Sequence, residues 1–228
     1  NLVYQRILFL SISYPEITFK FNGKIIRFKN AKNFLSSFND NFAQINTEKY
    51  LIGIVPNSSD DFNSKSTVNG ADCINGGNHI DYIHSELIGR IKTKLEKKYP
   101  NIKPGDIKNK LTYIVTIREF KSPLFDSQTK EKFTSNVSDI KTFFGDIDWD
   151  KLVNQIVKTP ELIDPIIETF KIREELKSRQ ALNKLNKSAA KNFKCEKFLP
   201  ATKNQKWFLI CEGQSASGGL SASLGRAD

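Results

Sequence analysis

VNGADCINGGNHIDYI, residues 68–83, is the stretch from which the rest of this chain is read. Gly76-Gly77 permits a sharp turn or a close approach of two backbones. A helix starts directly after it: Ile80, Ile83, Leu87, Ile88, Ile91 and Leu95 fall at helical spacing. The spacing predicts one helix over His79 to Tyr99, stopped by Pro100, with Asn78 as its N-cap. His79, near the helix start, is weighed as a metal ligand. The only other histidine, His84, lies five residues on, off the i, i+4 face that a metal needs, so a capped helix after a glycine turn is the simpler reading.

Upstream, ITFKFNGKIIRF (17–28) reads as a hairpin. Ile17, Phe19 and Phe21 alternate with polar residues, Asn22-Gly23 suits a two-residue turn, and Lys24 to Phe28 returns. Asn30 to Phe42 reads as a short helix, or a helix and a loop. LIGIVP (51–56) is a strand closed by Pro56, and Asn57 to Ser66 is a polar loop. Downstream, LTYIVTIREF (111–120) is a strong strand, rich in β-branched and aromatic residues. Ser138 to Phe144 and Trp149 to Val157 read as helices. Pro165 opens a long helix to about Lys191, and residues 206–211 form a last strand. The expected fold class is α+β, with the long helix handing over to a second domain near Lys194.

Composition narrows the function classes. With 228 residues and 39% hydrophobic content, the chain can bury a real core. No run approaches the roughly 20 apolar residues of a membrane helix, and no secretory signal opens the sequence, so no membrane partner is expected. Methionine is absent even at position 1, which reads as a fragment of a longer protein. Three scattered cysteines make neither a disulfide framework nor a zinc spacing and fit a reducing, intracellular setting, cytoplasmic or nuclear/nucleoid rather than secreted. The formal net charge is +10, and Lys171 to Lys206 alone carries eleven Lys or Arg against three Glu. Such a cluster suits a polyanion, or is a solvated basic helix face.

Two more stretches carry chemistry. FKSPLFDSQTKEKF (120–133) follows the strongest strand; there Lys130 offers a point charge to a phosphate and Gln128 offers amide donors, although a plain surface turn has the same composition. CEGQSASGGLSASLGRAD (211–228) has neither a Walker Gly-Lys-Ser/Thr ending nor a Gly-x-Gly-x-x-Gly fingerprint. What remains is Glu212 at the end of the expected last strand. A lone carboxylate there can hold a hard cation through oxygen, but needs partners, and only Asp228 follows it; a solvated loop Glu is the alternative.

Taken together, these stretches resemble the ATPase-bearing large subunit of the type IIA DNA topoisomerases. Asn75-Gly76-Gly77-Asn78-His79-Ile80-Asp81-Tyr82 resembles the helix-opening segment of that family's transducer domain. Pro123 to Glu131 resembles its Gln-Thr-Lys loop, and Glu212-Gly213-Gln214-Ser215-Ala216 resembles the Glu-Gly-Asp-Ser-Ala start of its TOPRIM metal domain. The Ile-Asp-Tyr after the histidine is closer to the eukaryotic and T-even phage enzymes than to gyrase.

The resemblance implies a ribosomal-protein-S5-like transducer over residues 1–192, including a connecting helix, and the first strand and loop of a Rossmann-like TOPRIM domain over 193–228. It implies an ATP-dependent enzyme that passes one DNA duplex through a break in another, with ATP and Mg²⁺ as cofactors. It also implies a homodimeric full-length protein and a breakage-reunion subunit or segment with the catalytic tyrosine. The fragment alone is expected to be inactive. Lys130 would reach the γ-phosphate with help from Gln128. Glu212 would bind the metal and take part in proton transfer, and Lys97, Lys98 and Lys103 would contact the transported duplex. Gln214 stands where the family has Asp, so the metal end departs from the pattern. A non-catalytic nucleic-acid-binding module with an S5-like fold, or another Bergerat-type machine, are the competing readings; Gln128, Lys130 and Glu212 are what a simple binder has no need for.

Overall fold

The computed structural model describes residues 2–59, 61–192, 210, 212 and 213. Two compact units divide the chain, Asn1–Leu176 and Lys177–Asp228. The first is built on a five-stranded sheet of β3 (Ala43–Asn46), β4 (Tyr50–Pro56), β5 (Asn63–Val68), β6 (Ala71–Asp72) and β7 (Leu111–Ile117), in the order β3-β4-β7-β5-β6. β4 and β7 pair antiparallel, with Ile52 opposite Val115, whereas β5 runs parallel to β7, with Val68 opposite Ile117. A parallel pair needs a long crossover. Here α3 (Asn78–Glu96) and the single turn α4 (Pro104–Ile107) supply it.

The central strands are apolar on both faces because helices cover both. Ile52, Ile54, Tyr113, Val115 and Ile117 pack with Ile80, Ile83, Leu87 and Ile91 of α3 in the larger core. α5 (Val137–Phe143), α6 (Trp149–Lys158) and the start of α7 (Pro160–Asn192) add Ile140, Leu152, Ile156, Leu162 and Ile166 to it. The intervening residues Leu51, Val55 and Ile114 turn to a second core under α1 (Leu2–Ser13) and α2 (Ala31–Ser36). There Phe34 is fully buried and meets Phe9, Phe28 and Phe38 edge-on, with ring centroids 5.2 Å away in each case. The edge strand β3 is pinned by one side chain: the Gln44 amide donates to Gln155 Oε1 (2.9 Å) and Gln155 Nε2 donates back to the Gln44 carbonyl (3.1 Å).

Most sequence expectations match. The hairpin is present as β1 (Phe19–Phe21) and β2 (Lys24–Ile26), with Asn22 and Gly23 both at positive φ as its two-residue turn requires. α2 starts at an Asn30 cap, and the helices near 138 and 149 lie within a residue of expectation. Other readings are corrected. α3 ends at Glu96 rather than at Tyr99, and α1, β3 and β6 were not anticipated. The end of the expected polar loop 57–66, from Asn63 on, is β5, whose Ser66 and Thr67 are buried although hydroxyl-bearing. β7 ends at Ile117 rather than Phe120. The long helix begins at Pro160, where a missing N–H costs nothing, and Pro165 lies inside it. The expected strand at 206–211, Gln214 and the loop to Asp228 lie outside the described residues, Ile210, Glu212 and Gly213 apart. No described helix is long and apolar enough to cross a membrane.

Phe34→Ala is expected to destabilise the chain by about 3–5 kcal/mol, measured as the shift in denaturant unfolding. A loss under about 1 kcal/mol would mean that the second core does not support the sheet.

Candidate functional site

The glycine turn and the Gln-Thr-Lys loop lie some fifty residues apart in sequence and are bonded together along their backbones. The Asn75 amide donates to the Glu131 carbonyl (2.9 Å), the Phe133 amide to the Gly76 carbonyl (3.0 Å), and the Asn78 amide to the Phe133 carbonyl (3.0 Å). Side chains reinforce the join: Asn75 Nδ2 donates to Glu131 Oε2 (3.2 Å), and Asn78 Nδ2 to the Thr134 and Ser135 carbonyls (3.3 and 3.0 Å). Gly77 is what allows the approach. Its φ is +131°, and a Cβ there would lie 2.1 Å from the Phe133 carbonyl oxygen and 2.7 Å from its nitrogen. Gly77, not Asn78, caps α3; Asn78 is the first helical residue and spends its amide on the neighbouring segment instead.

Phe133 is fully buried and meets His79, Phe120 and Phe125 edge-on, at 5.0, 5.1 and 5.8 Å. The Asp126 amide donates to Lys132 (3.1 Å) and the Thr134 amide to Leu124 (2.8 Å), so residues 124–134 double back on themselves. The exposed tip is Ser127, Gln128, Thr129 and Lys130. It is a turn closed by the Lys130 amide on the Ser127 carbonyl (3.1 Å), with the Ser127 and Thr129 hydroxyls 2.8 Å apart. Lys130 holds a positive φ of 61°, uncommon for a non-glycine residue, and its ammonium stands 5.8 Å from the Phe125 ring centroid. The tip therefore presents an amide and a cation on a base that is anchored in the core. Asn75, Glu131 and Phe133, which fix this base, were not singled out in the sequence; the apolar Phe133 closing a charged run was the available signal.

The histidines are structural, not ligands. His79 is fully buried with Nε2 2.9 Å from Ser66 Oγ, and burial pushes its pKa down to about 3. His84 Nδ1 lies 2.8 Å from the Tyr113 hydroxyl; burial, then the charge of Lys108, lowers its pKa as well. Burial, then the charge of Asp72, drives the Cys73 thiol up to about 12, which removes it as a nucleophile.

Lys97 and Lys98 follow the end of α3, Lys103 precedes α4, and all three are exposed. Glu212, in the second unit, is exposed on a bend next to Gly213, whose φ is +82°. Its oxygen chemistry suits Mg²⁺. Among the described residues, however, no three His, Cys, Asp or Glu side chains converge.

Gly77→Ala is expected to cost at least about 2–3 kcal/mol and to open the loop at Lys130 to protease, read by unfolding and by limited digestion. Acid should also destabilise the chain. Below about pH 6.5 the unfolded chain binds protons that buried, neutral His79 refuses until about pH 3, so stability present at neutral pH is lost as pH falls through that window. His79→Leu should flatten the decline between pH 7 and pH 5, measured as urea midpoints.

Comparisons with known proteins meet this geometry. A family model described as DNA gyrase B matches residues 23–188. The DNA topoisomerase large subunit of Enterobacteria phage T4 is 28% identical over 175 residues, covering 76% of this chain and 33% of that protein. The DNA topoisomerase 2 of Candida glabrata is 29% identical over 212 residues, covering 82% of this chain and 14% of that protein. Among solved structures, the ATPase region of Saccharomyces cerevisiae topoisomerase II superposes with a TM-score of 0.61 at 26% identity, covering 74% of this chain and 44% of that one. This chain thus spans about a third or less of the length of the phage and yeast proteins. The family model takes in well over half of the 228 residues, and the chain belongs to the DNA gyrase B family, the large-subunit line of the type IIA DNA topoisomerases.

Proposed function

We propose that this chain is the transducer of an ATP-dependent type IIA topoisomerase together with the start of its TOPRIM domain. Residues 1–192 form the S5-like transducer and 193–228 begin the metal domain. In this reading the full-length protein works inside the cell as a homodimer with a breakage-reunion subunit or segment, and passes one duplex through another.

The observation that carries the reading is the anchored tip at 127–130. Lys130 supplies a point charge for the γ-phosphate of ATP held by a neighbouring domain, and Gln128 an amide donor beside it. A cation that touches only the terminal phosphate separates ATP from ADP, and a ligand shifts a conformational equilibrium only by such differential contact. The base of the tip is bonded to Gly76 and Asn78, where α3 begins. A pull on Lys130 is therefore felt by α3 and by the sheet on which α3 packs. Glu212 would hold Mg²⁺ through its carboxylate, and the ion would supply charge stabilisation at the cleavage centre, where Glu212 is also the candidate for proton transfer. Lys97, Lys98 and Lys103 offer unshielded charge to the transported duplex.

The test is relaxation of supercoiled plasmid by the full-length parent with its partner, ATP and Mg²⁺. Lys130→Ala should lower ATP-driven turnover by at least about tenfold, and Glu212→Ala should lower cleavage by at least about a hundredfold. DNA binding with no ATP-dependent relaxation, unchanged by either substitution, would favour a non-catalytic binding module.

A further inference from the structure

The turn from α3 into α4 is tied to α7 by one guanidinium. Arg173 Nε donates to Asp106 Oδ1 (2.7 Å) and Nη2 to Asp106 Oδ2 (2.8 Å), a two-pronged pair with a carboxylate only 3% exposed. Arg173 Nη2 also donates to the Asn101 carbonyl (2.6 Å), and Asn101 Nδ2 to Glu174 Oε2 (3.4 Å). Below the pair, the Tyr99 and Phe170 rings meet at 5.3 Å, and the guanidinium lies 5.5 Å from the Phe170 ring centroid. Asp106 has one more partner, the Lys103 backbone amide (2.8 Å). Burial opposes the charge on Asp106, but the bonds from Arg173 and the Lys103 amide, then the charges of Arg173 and of Lys103, which stands near without forming an ion pair, outweigh it and hold the carboxyl below its ordinary range.

The charges of this corner are thereby sorted. Glu96 pairs with Lys92 (3.1 Å), Asp106 with Arg173, and Glu174 with Arg173 (2.8 Å). Among the described residues, no ion pair involves Lys97, Lys98 or Lys103, which are exposed; the Lys98 ammonium stands 5.6 Å from the Tyr99 ring centroid. A carboxylate three residues from Lys103 would otherwise be its natural partner.

We infer that Arg173 is a positioning residue for duplex binding: by holding Asp106 and the Asn101 carbonyl it fixes the 97–106 corner and keeps its only buried carboxylate from capturing Lys103. This rests on the reading of that corner as a duplex contact. An Arg is needed, since only a planar fork meets both carboxylate oxygens and the carbonyl at once.

The test is binding of a short fluorescent DNA duplex by the 228-residue chain over a salt series. Arg173→Met should weaken binding about threefold or more and lower the slope of log K against log salt by about 0.9, the equivalent of one phosphate contact. Adding Asp106→Asn to Arg173→Met should restore both, because no carboxylate is left to quench Lys103. Lys24→Met removes an equal charge from the β1–β2 hairpin and should leave the slope unchanged. The slope counts phosphate contacts and does not follow fold stability, so a merely structural Arg173 would not move it. If Arg173→Met does not fold, Arg173→Lys is read instead; it keeps the charge, loses the fork, and should fall between wild type and that loss.

An unchanged slope in Arg173→Met or its substitute, no recovery in the double variant, or an equal drop in Lys24→Met would overturn the inference while the duplex reading stands. If Lys97, Lys98 and Lys103 replaced together by Ala bind the duplex as wild type does, the duplex reading of the corner fails and this inference fails with it.

Discussion

Gly77 and the Phe133 main chain occupy a space in which no β-carbon fits, and the rest of the site follows from that contact. A Cβ at 2.1 Å from a carbonyl oxygen cannot be relieved by a rotamer change, since the obstacle is backbone. Because the two segments touch, the Phe133 amide reaches Gly76 and its carbonyl reaches Asn78, so both main-chain groups of the buried Phe133 have a partner. The Phe133 ring is then driven under the sheet against His79, Phe120 and Phe125. A loop that would otherwise be a solvated excursion gains a core residue at its foot, and the Lys130 turn stands on that foot.

The sheet makes this anchoring rigid. β5 runs through the short β6 into the glycine turn, α3 leads out of it, and β5 and α3 both pack against β7, the central strand buried along its whole length. His79 joins the first turn of α3 to β5 through Ser66, and burial keeps its imidazole neutral. At the far end of α3 the same economy of charge recurs. Asp106 is buried, so it needs Arg173, and the lysines around it are left to solvent. A buried carboxylate is stable there only because a guanidinium meets both of its oxygens.

Much of this was legible in the sequence where residue type and period agree. The 3.6-residue spacing from Ile80 to Leu95 and the Asn22-Gly23 turn specify their elements unaided. The tip residues Gln128 and Lys130 were legible as chemistry, though not as a fixed geometry. β5 was hidden because Asn63-Ser64-Lys65-Ser66-Thr67 has the composition of a loop; it is a strand because β7 offers it a parallel ladder, and no local signal reports that. Asn78 was read as a cap because the type fits, but its amide meets stronger acceptors at Thr134 and Ser135 across the fold. Arg173 and Asp106, 67 residues apart, carry no motif at all, and only the packing of α7 beside α4 joins them.

In the proposed function, the join at Gly77 and Phe133 holds Lys130 where it would meet the terminal phosphate of ATP. The most direct measurement of this is affinity labelling of the full-length parent with an amine-reactive group carried on the γ-phosphate, followed by peptide mapping. The account predicts label on Lys130, blocked by excess ATP and not by ADP, and scattered or lost when Gly77 is replaced by Ala. Label that spares Lys130, or that stays on it unchanged once the join is broken, would contradict it.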